Sequence, residues 1–406
     1  MDAIPVLRGR RILLGVSGSI AAYKAAELAS LLTQAGAHVD AILTAAATRF
    51  VTPLTFQSLT GRPAHADLWS ADAHVLHVGL AGGADLLLVA PATADVLAKL
   101  AHGLADDLVT VTALAARCPL LVAPAMDAGM FEHPAVQANL AVLRGRGATV
   151  MGPAEGRMAS GLAGRGRMLE PVEILGHVRR AAGRHGPLAG RRVVVTASGT
   201  EEPVDPVRVL ANRSSGKQGF ALAQAALDRG AEVVLVAAPC ALPTPVGARR
   251  IDVGSAEEMA RAVLDAAASA DVLLMAAAVA DFRPARPAPR KIKKDQGPPA
   301  LELERTADIL SAVAEARDRT GRPACVVGFA AETGDLVASA RKKLEKKRLS
   351  LVVANDVARR DSGFGSDTNR VTLVDAAGAE ELPLLSKAEV AERILDRVGA
   401  LPAARA

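Results

Sequence analysis

RILLGVSGSIAAYK, residues 11–24, sets the architecture of the chain. The apolar run Ile12-Leu13-Leu14 enters Gly15-Val16-Ser17-Gly18-Ser19, and a helix-forming segment starts at Ile20. That is a buried strand, a tight Gly/Ser turn and a helix N-terminus. Small residues let an anion approach the backbone, and the uncommitted N–H groups with the helix dipole favour negative charge there. The pattern returns in mid-chain, where Arg192-Val193-Val194-Val195-Thr196 runs into Ala197-Ser198-Gly199-Thr200. The chain therefore begins a nucleotide-type fold twice.

Around these two openings, short apolar runs alternate with helical patterns. In the first half, strands are expected at 11–16, 38–43, 85–90 and 119–123, and helices at 20–35, 92–102, 107–116 and 134–145. In the second half, strands are expected at 192–196, 232–237, 271–276, 324–328 and 351–354. The helices there are expected at 216–229, 256–268, 307–318, 334–348 and 387–398, with a Ser255/Glu258 capping box on the second. Buried strands separated by helices imply an α/β chain of two doubly wound, mostly parallel, three-layer domains, with ligands at the carboxyl ends of the strands. Those ends carry Ser17-Gly18-Ser19, Thr44, Pro91-Ala92-Thr93-Ala94-Asp95 and Pro124-Ala125-Met126-Asp127. A linker, GRHGPLAG at 183–190, gives domains of 1–186 and 187–406.

Composition narrows the function. A length of 406 residues suits two domains, and 50% apolar residues support two substantial cores. Aromatics are 2% of the chain, too few for extended base stacking, and no nucleic-acid partner is expected. The net charge of +5 favours anionic small molecules. Cys118, Cys240 and Cys325 stand apart without metal or redox spacing and are expected to be buried thiols. No apolar run reaches the ~20 residues of a membrane span. No cleavage site follows the early arginines, so a soluble, cytoplasmic protein is expected.

The opening turn is not GxGxxG. It lacks the third glycine and carries hydroxyls, and Thr44 stands where a ribose-binding acid would close the second strand. This favours a mononucleotide phosphate over NAD. His74 and His77 precede the third strand at a spacing that suits either a metal or a solvated surface. Residues 152–168, GPAEGRMASGLAGRGRM, hold five glycines and three arginines, as a mobile basic lid or a solvated loop would. The segment 196–219, TASGTEEPVDPVRVLANRSSGKQG, places a second small-residue turn, Ser214-Ser215-Gly216-Lys217, at another helix start. A proline- and cation-rich excursion, Pro284 to Pro299, carries Lys291, Lys293 and Lys294, and Lys343 and Lys347 lie one helical turn apart. These cations flank Ala276–Asp281, a strand end bearing a carboxylate, the mixture a triphosphate with Mg²⁺ requires.

These motifs, in order over about residues 8–400, resemble the bifunctional bacterial coenzyme A biosynthesis family, which joins phosphopantothenoylcysteine decarboxylase to phosphopantothenate–cysteine ligase. The first half carries GVSGSIAAYK, a His before ADLLLVAPATAD, and PAMDAGM. The second carries TASGTEEPVDPVR, NRSSGKQG, AAAVADF, KIKK, VGFAAET and the lysine helix. The resemblance implies a flavodoxin-like flavoprotein domain followed by a Rossmann-like ligase domain. It implies flavin mononucleotide on Gly15, Ser17, Gly18, Ser19, Ile20, Thr44, Thr93, Ala125 and Met126. His77 takes the position of the family's essential His, counted back from Ala84-Asp85-Leu86, with His74 as the neighbouring register.

For the ligase it implies CTP activating 4′-phosphopantothenate as an acyl-cytidylate with Mg²⁺, and the amine of cysteine then displacing CMP. Asn212 takes the position of the family's catalytic Asn. Ala278, Val279, Ala280, Asp281, Lys291, Thr306, Ala307, Asp308, Ile309, Phe329, Lys343 and Lys347 would frame the nucleotide, with Asp281 also at the metal. It further implies a homo-oligomer of trimeric decarboxylase units and dimeric ligase units. Two positions depart from the family's pattern. Asp127 replaces an Asn that contacts the substrate carboxylate, so it is either protonated or turned to another group. Ser160 replaces the lid Cys that protonates the enethiolate, and a hydroxyl is a far weaker acid, so the proton comes from water or another residue. Two other readings are an NAD(P)-linked oxidoreductase and an active ligase with a decayed, regulatory flavoprotein half.

Overall fold

A computed structural model describes residues 3–69, 75–294, 300–332, 335–356 and 365–401. His74 lies outside the described residues. The chain divides into two compact units, Met1–Gly183 and Arg184–Ala406.

The first unit is built on six strands: β1 (Arg11–Val16), β2 (His38–Leu43), β3 (Ala64–His65), β4 (Leu86–Ala92), β5 (Leu120–Pro124) and β6 (Thr149–Val150). They pair in the order β3-β2-β1-β4-β5-β6, with every pairing parallel. The strands read as continuous apolar runs because both faces are covered. Ile12, Leu14 and Val16 pack toward the helices Ala22–Gln34 and Pro171–Gly183, whereas Leu13, Leu87 and Val89 pack toward Ala94–His102, Leu108–Ala115 and Pro134–Gly145. Each fully buried Leu contributes on the order of 2 kcal/mol. The chain reverses its direction of sheet growth between β1 and β4, which opens a crevice at their carboxyl ends.

The second unit repeats the plan with eight strands: β7 (Arg192–Ala197), β8 (Glu232–Ala237), β9 (Arg249–Asp252), β10 (Val272–Met275), β11 (Cys325–Glu332), β12 (Leu351–Asp356), β13 (Val371–Asp375) and β14 (Gly378–Glu381). The order is β9-β8-β7-β10-β11-β12-β13-β14, parallel through β12 and antiparallel beyond it. Its switch point falls between β7 and β10, so in both units the opening strand is central and borders the crevice. The Ser255/Glu258 capping box forms on Ala256–Ala267.

Several expectations shift. The first helix begins at Ala22, not residue 20, because Ser17–Ala21 form the turn. The glycine- and arginine-rich segment 152–168 holds an ordered antiparallel hairpin, Ala154–Arg157 with Ala163–Arg167. The excursion after Asp281 begins as a strand, Phe282–Pro284, paired with Leu303–Arg305. Only Cys325 is fully buried, and desolvation pushes its thiol up to about 11. Cys118 and Cys240 are half-buried, because Cys118 precedes β5 and Cys240 follows β8.

A buried carboxylate lies inside the first unit. Asp40 on β2 is 4% exposed and accepts hydrogen bonds from Arg11 Nε and Arg62 Nε, both at 2.6 Å. Burial raises its pKa, but the two guanidiniums outweigh burial and hold the carboxyl below its ordinary value. A depressed pKa contributes stability that is complete above the ordinary carboxylate value of about 3.9 and is lost as pH falls through the folded value. Asp40→Asn should therefore cost about 3 kcal/mol at neutral pH. Urea unfolding followed by hydrogen exchange in β2 should show the difference from the parent shrinking below about pH 4. A difference independent of pH would refute the assignment.

Candidate functional sites

In the first unit the carboxyl ends of β1, β2, β4 and β5 meet through a few small residues. Ser17 is fully buried; its Oγ donates to Pro91 O at 2.7 Å and accepts from Thr93 N at 3.1 Å. The Ser17 hydroxyl thus joins β1 to β4 across the switch point and shapes the turn. Gly18 is dictated by close approach: a Cβ there would lie 2.5 Å from Ala46 Cβ and 2.9 Å from its carbonyl carbon. Among the described residues the amides of Gly18 and Ser19 meet no backbone acceptor, and Ile20 is 62% exposed. The turn therefore offers free donors beside a helix start, which fits a phosphate.

Thr44 is buried where β2 ends, its amide donating to Val16 O and its Oγ1 accepting from Ala47 N. Thr93 caps the helix Ala94–His102 by accepting from Val96 N. Ala125 N donates to Ala92 O at 3.1 Å, aligning the β4 and β5 ends. Gly15 lies inside β1, where a Cβ would come to 3.0 Å from Val109 Cγ1. His77 is half-buried in the first turn of Leu76–Gly82, ahead of β4. Among the described residues its ring makes no hydrogen bond, so it stands outside the network that joins the turns.

The hairpin Ala154–Arg167 lies on the turn after β5. Met126 N donates to Gly166 O at 3.0 Å, and Ser160 Oγ donates to Asp127 Oδ2 at 2.5 Å. The base of the hairpin is tied to the first helix: Lys24, 6% exposed, donates to Met168 O at 3.3 Å and to Glu170 Oε1 at 2.7 Å.

The second unit uses hydroxyls in the same way. Thr196 Oγ1 accepts from Ala277 N at 3.0 Å and Thr200 Oγ1 from Ala280 N at 2.9 Å, joining the β7 turn to the loop after β10. Thr306 Oγ1 donates to Ala280 O at 2.6 Å, and Asn212 Nδ2 to Val279 O at 3.0 Å. Asn212, Thr306 and Ala278–Asp281 are thus gathered together, while the Asp281 side chain stays exposed. Ser198 holds a left-handed φ of 70°, and among the described residues its buried Oγ has no hydrogen-bond partner. A Cβ at Gly216 would lie 2.3 Å from that oxygen, and one at Gly199 2.7 Å from Asn212 O. The two small-residue turns are pressed together at the start of Lys217–Asp228, whose N-cap, Gly216, has no side chain to satisfy the helix end.

Around this cradle, Lys343 Nζ donates to Phe329 O at 2.5 Å, while Lys347 Nζ pairs with Asp308 and donates to Ser311 Oγ at 2.9 Å. Asp308 caps Ile309–Thr320. Burial raises its pKa, but Lys347 and the Ser311 amide bring it below its ordinary value. Lys291 is exposed on a fastened loop. Asp205, 3% exposed, accepts from the amides of Val207, Arg208 and Ile292 and from the Arg208 guanidinium; burial opposes ionisation, yet these donors hold it far below the carboxylate range. Arg208 NH2 also donates to Ile292 O at 2.6 Å.

Sequence reading missed the roles of Thr196, Thr200 and Asp205; only the DPVR spacing, which suits an Asx turn, signalled the last. It also missed Lys387, which with Lys217, Phe220, Leu242 and Asp367 lines a cavity of about 350 Å³. Burial, then the neighbouring Lys217, lowers the Lys387 pKa. Among the described residues no group of three or more His, Cys, Asp or Glu side chains is arranged to hold a metal.

The comparisons with known proteins follow the same division. The model of the family described as Flavoprotein matches residues 6–183, and that described as DNA/pantothenate metabolism flavoprotein C-terminal domain matches residues 188–401. The coenzyme A biosynthesis bifunctional protein CoaBC of Bacillus subtilis is 46% identical over 402 residues, covering 98% of each chain. The protein of the same name from Mycobacterium tuberculosis is 47% identical over 402 residues, covering 96% of each, and that from Vibrio vulnificus 45% over 399 residues. With both family models matched in order, and near-full-length relatives at this identity, the chain belongs to the family of coenzyme A biosynthesis bifunctional proteins.

Proposed function

We infer that this chain catalyses two consecutive reactions of coenzyme A biosynthesis: ligation of cysteine to 4′-phosphopantothenate, and decarboxylation of the resulting 4′-phosphopantothenoylcysteine to 4′-phosphopantetheine. The observation that carries the reading is the pair of switch-point crevices, one in each unit, within a chain of this family. We assign the decarboxylase to residues 1–186 and the ligase to 187–406.

In the decarboxylase, the free amides after Ser17 and the close approach at Gly18 suit the phosphate of flavin mononucleotide. Gly15, Ser19, Ile20, Thr44, Thr93, Ala125 and Met126 complete its surroundings. The bound flavin supplies a reversible two-electron oxidation of the substrate thiol, which lets the carboxylate leave as CO₂. His77 is the group we assign to move the thiol proton.

In the ligase, the Gly216 helix start and the unpartnered Ser198 hydroxyl suit an anion, and Lys291, Lys343 and Lys347 supply positive charge for a triphosphate. Asn212 holds the acyl intermediate as a neutral donor. Asp281 offers a single carboxylate, so Mg²⁺ would be carried mainly by the nucleotide phosphates rather than by a protein cage. CTP is the nucleotide we favour, on the resemblance of the motifs to the bacterial family. Association into trimeric decarboxylase and dimeric ligase units and a cytoplasmic location are part of the same reading, on the family resemblance alone; among the described residues no helix is long and apolar enough to cross a membrane.

The test supplies 4′-phosphopantothenate, cysteine, Mg²⁺ and either CTP or ATP, and follows pyrophosphate and CO₂ separately. Both products with CTP are expected; pyrophosphate without CO₂ would leave only a ligase. His77→Ala should lower CO₂ release at least 10²-fold while the protein keeps its yellow flavin absorbance. Retained CO₂ release would remove His77 from the mechanism. Asp205→Asn, which cannot accept the same set of donors, should free the Lys291 loop and raise the nucleotide KM about tenfold with CO₂ release from preformed substrate unchanged. An unchanged KM would show that the loop is held by other contacts.

A further inference from the structure

Asp127 and Ser160, the two departures from the family's pattern, are in contact. Ser160 Oγ donates to Asp127 Oδ2 at 2.5 Å, and Asp127 Oδ1 accepts from Gly129 N at 3.2 Å, so both carboxylate oxygens are engaged. The rest of the hairpin is fitted to the same turn. A Cβ at Gly166 would lie 2.2 Å from Met126 O, and one at Gly164 2.8 Å from Ala128 Cβ. The Arg165 guanidinium stands 5.6 Å from the centre of the Phe131 ring. The hairpin is thus seated along one strand by glycine, and at its tip by one exposed hydrogen bond.

We propose that Asp127 and Ser160 are a positioning pair that fastens the hairpin tip over the carboxyl end of β5 and closes the decarboxylase site. The inference rests on the decarboxylase reading. It explains how an acid is tolerated where a neutral amide would face a substrate carboxylate: the charge is turned to the hairpin and to the Gly129 amide. It also gives the serine a role that needs no acidity. In this reaction CO₂ leaves before the thiol product is complete, and a closed hairpin keeps the reactive enethiolate from water until then.

The test uses the full chain with flavin bound. Trypsin cuts at Arg157, Arg165 and Arg167 report the open population of the hairpin when opening is fast relative to cleavage. Ser160→Ala should be cut three- to tenfold faster than the parent, the factor for a bond worth about 0.7–1.4 kcal/mol. Its ratio of thiol product to CO₂ should fall by a similar factor. Ser160→Thr, which keeps the hydroxyl, should stay within twofold of the parent in both readouts. Parental cleavage and product ratio in Ser160→Ala would overturn the proposal, as would Ser160→Thr behaving like Ser160→Ala. A parent that releases no CO₂ would instead refute the decarboxylase reading, and the cleavage rates would still decide whether the pair fastens the hairpin.

Discussion

A buried hydroxyl at the end of the opening strand is the interaction on which each unit depends. A doubly wound sheet must splay at its switch point to admit a ligand, and the splayed strand ends leave backbone groups without ladder partners. Ser17 in the first unit, and Thr196 with Thr200 in the second, supply those partners from within the chain. The strand ends that border the crevice are thereby tied to one another. Side chains join the strand ends alongside backbone bonds from Ser17 N to Pro91 O and from Ala278 N to Ser198 O, and the amides of Gly18 and Ser19 are left without a backbone acceptor among the described residues.

The loops that cover these crevices are secured by charge rather than by apolar burial. Asp205 gathers donors from two segments 87 residues apart, and Lys347 pairs with Asp308 at a helix start. Such contacts are local and directional, which suits elements that must hold a shape around an anionic ligand while remaining near water. The alanine-rich cores could not do this. They fill space well, but they offer the surface loops little large apolar surface to dock on.

The sequence made the two-unit plan, the parallel sheets and the anion turns legible because each rests on a short-range pattern: apolar runs, Gly/Ser turns and capping residues. Strand β1 and the Ser255 capping box lie where their residues indicated. The hairpin at 154–167 was hidden because its glycines, which read as flexibility, are there for contact with Met126 and Ala128. The edge strands β9 and β14 were missed because they are short and carry charge, so their pairing is set by the sheet and not by their own composition. The site was legible as a set of motifs, but not the use of each hydroxyl. Ser17 read as a ligand contact, and no sequence pattern signalled that its hydroxyl also bonds Pro91 O and Thr93 N.

Lys24 gives the first unit a mechanical property. Its ammonium group is buried on the first helix and binds Met168 O and Glu170, just beyond the second hairpin strand. The helix that begins at the anion turn and the foot of the hairpin are therefore one rigid piece. A swinging motion about that foot would have to expose a buried cation, whose desolvated charge is compensated only there. That leaves the glycine-rich strands, rather than their foot, as the part of the hairpin least bound to the first helix.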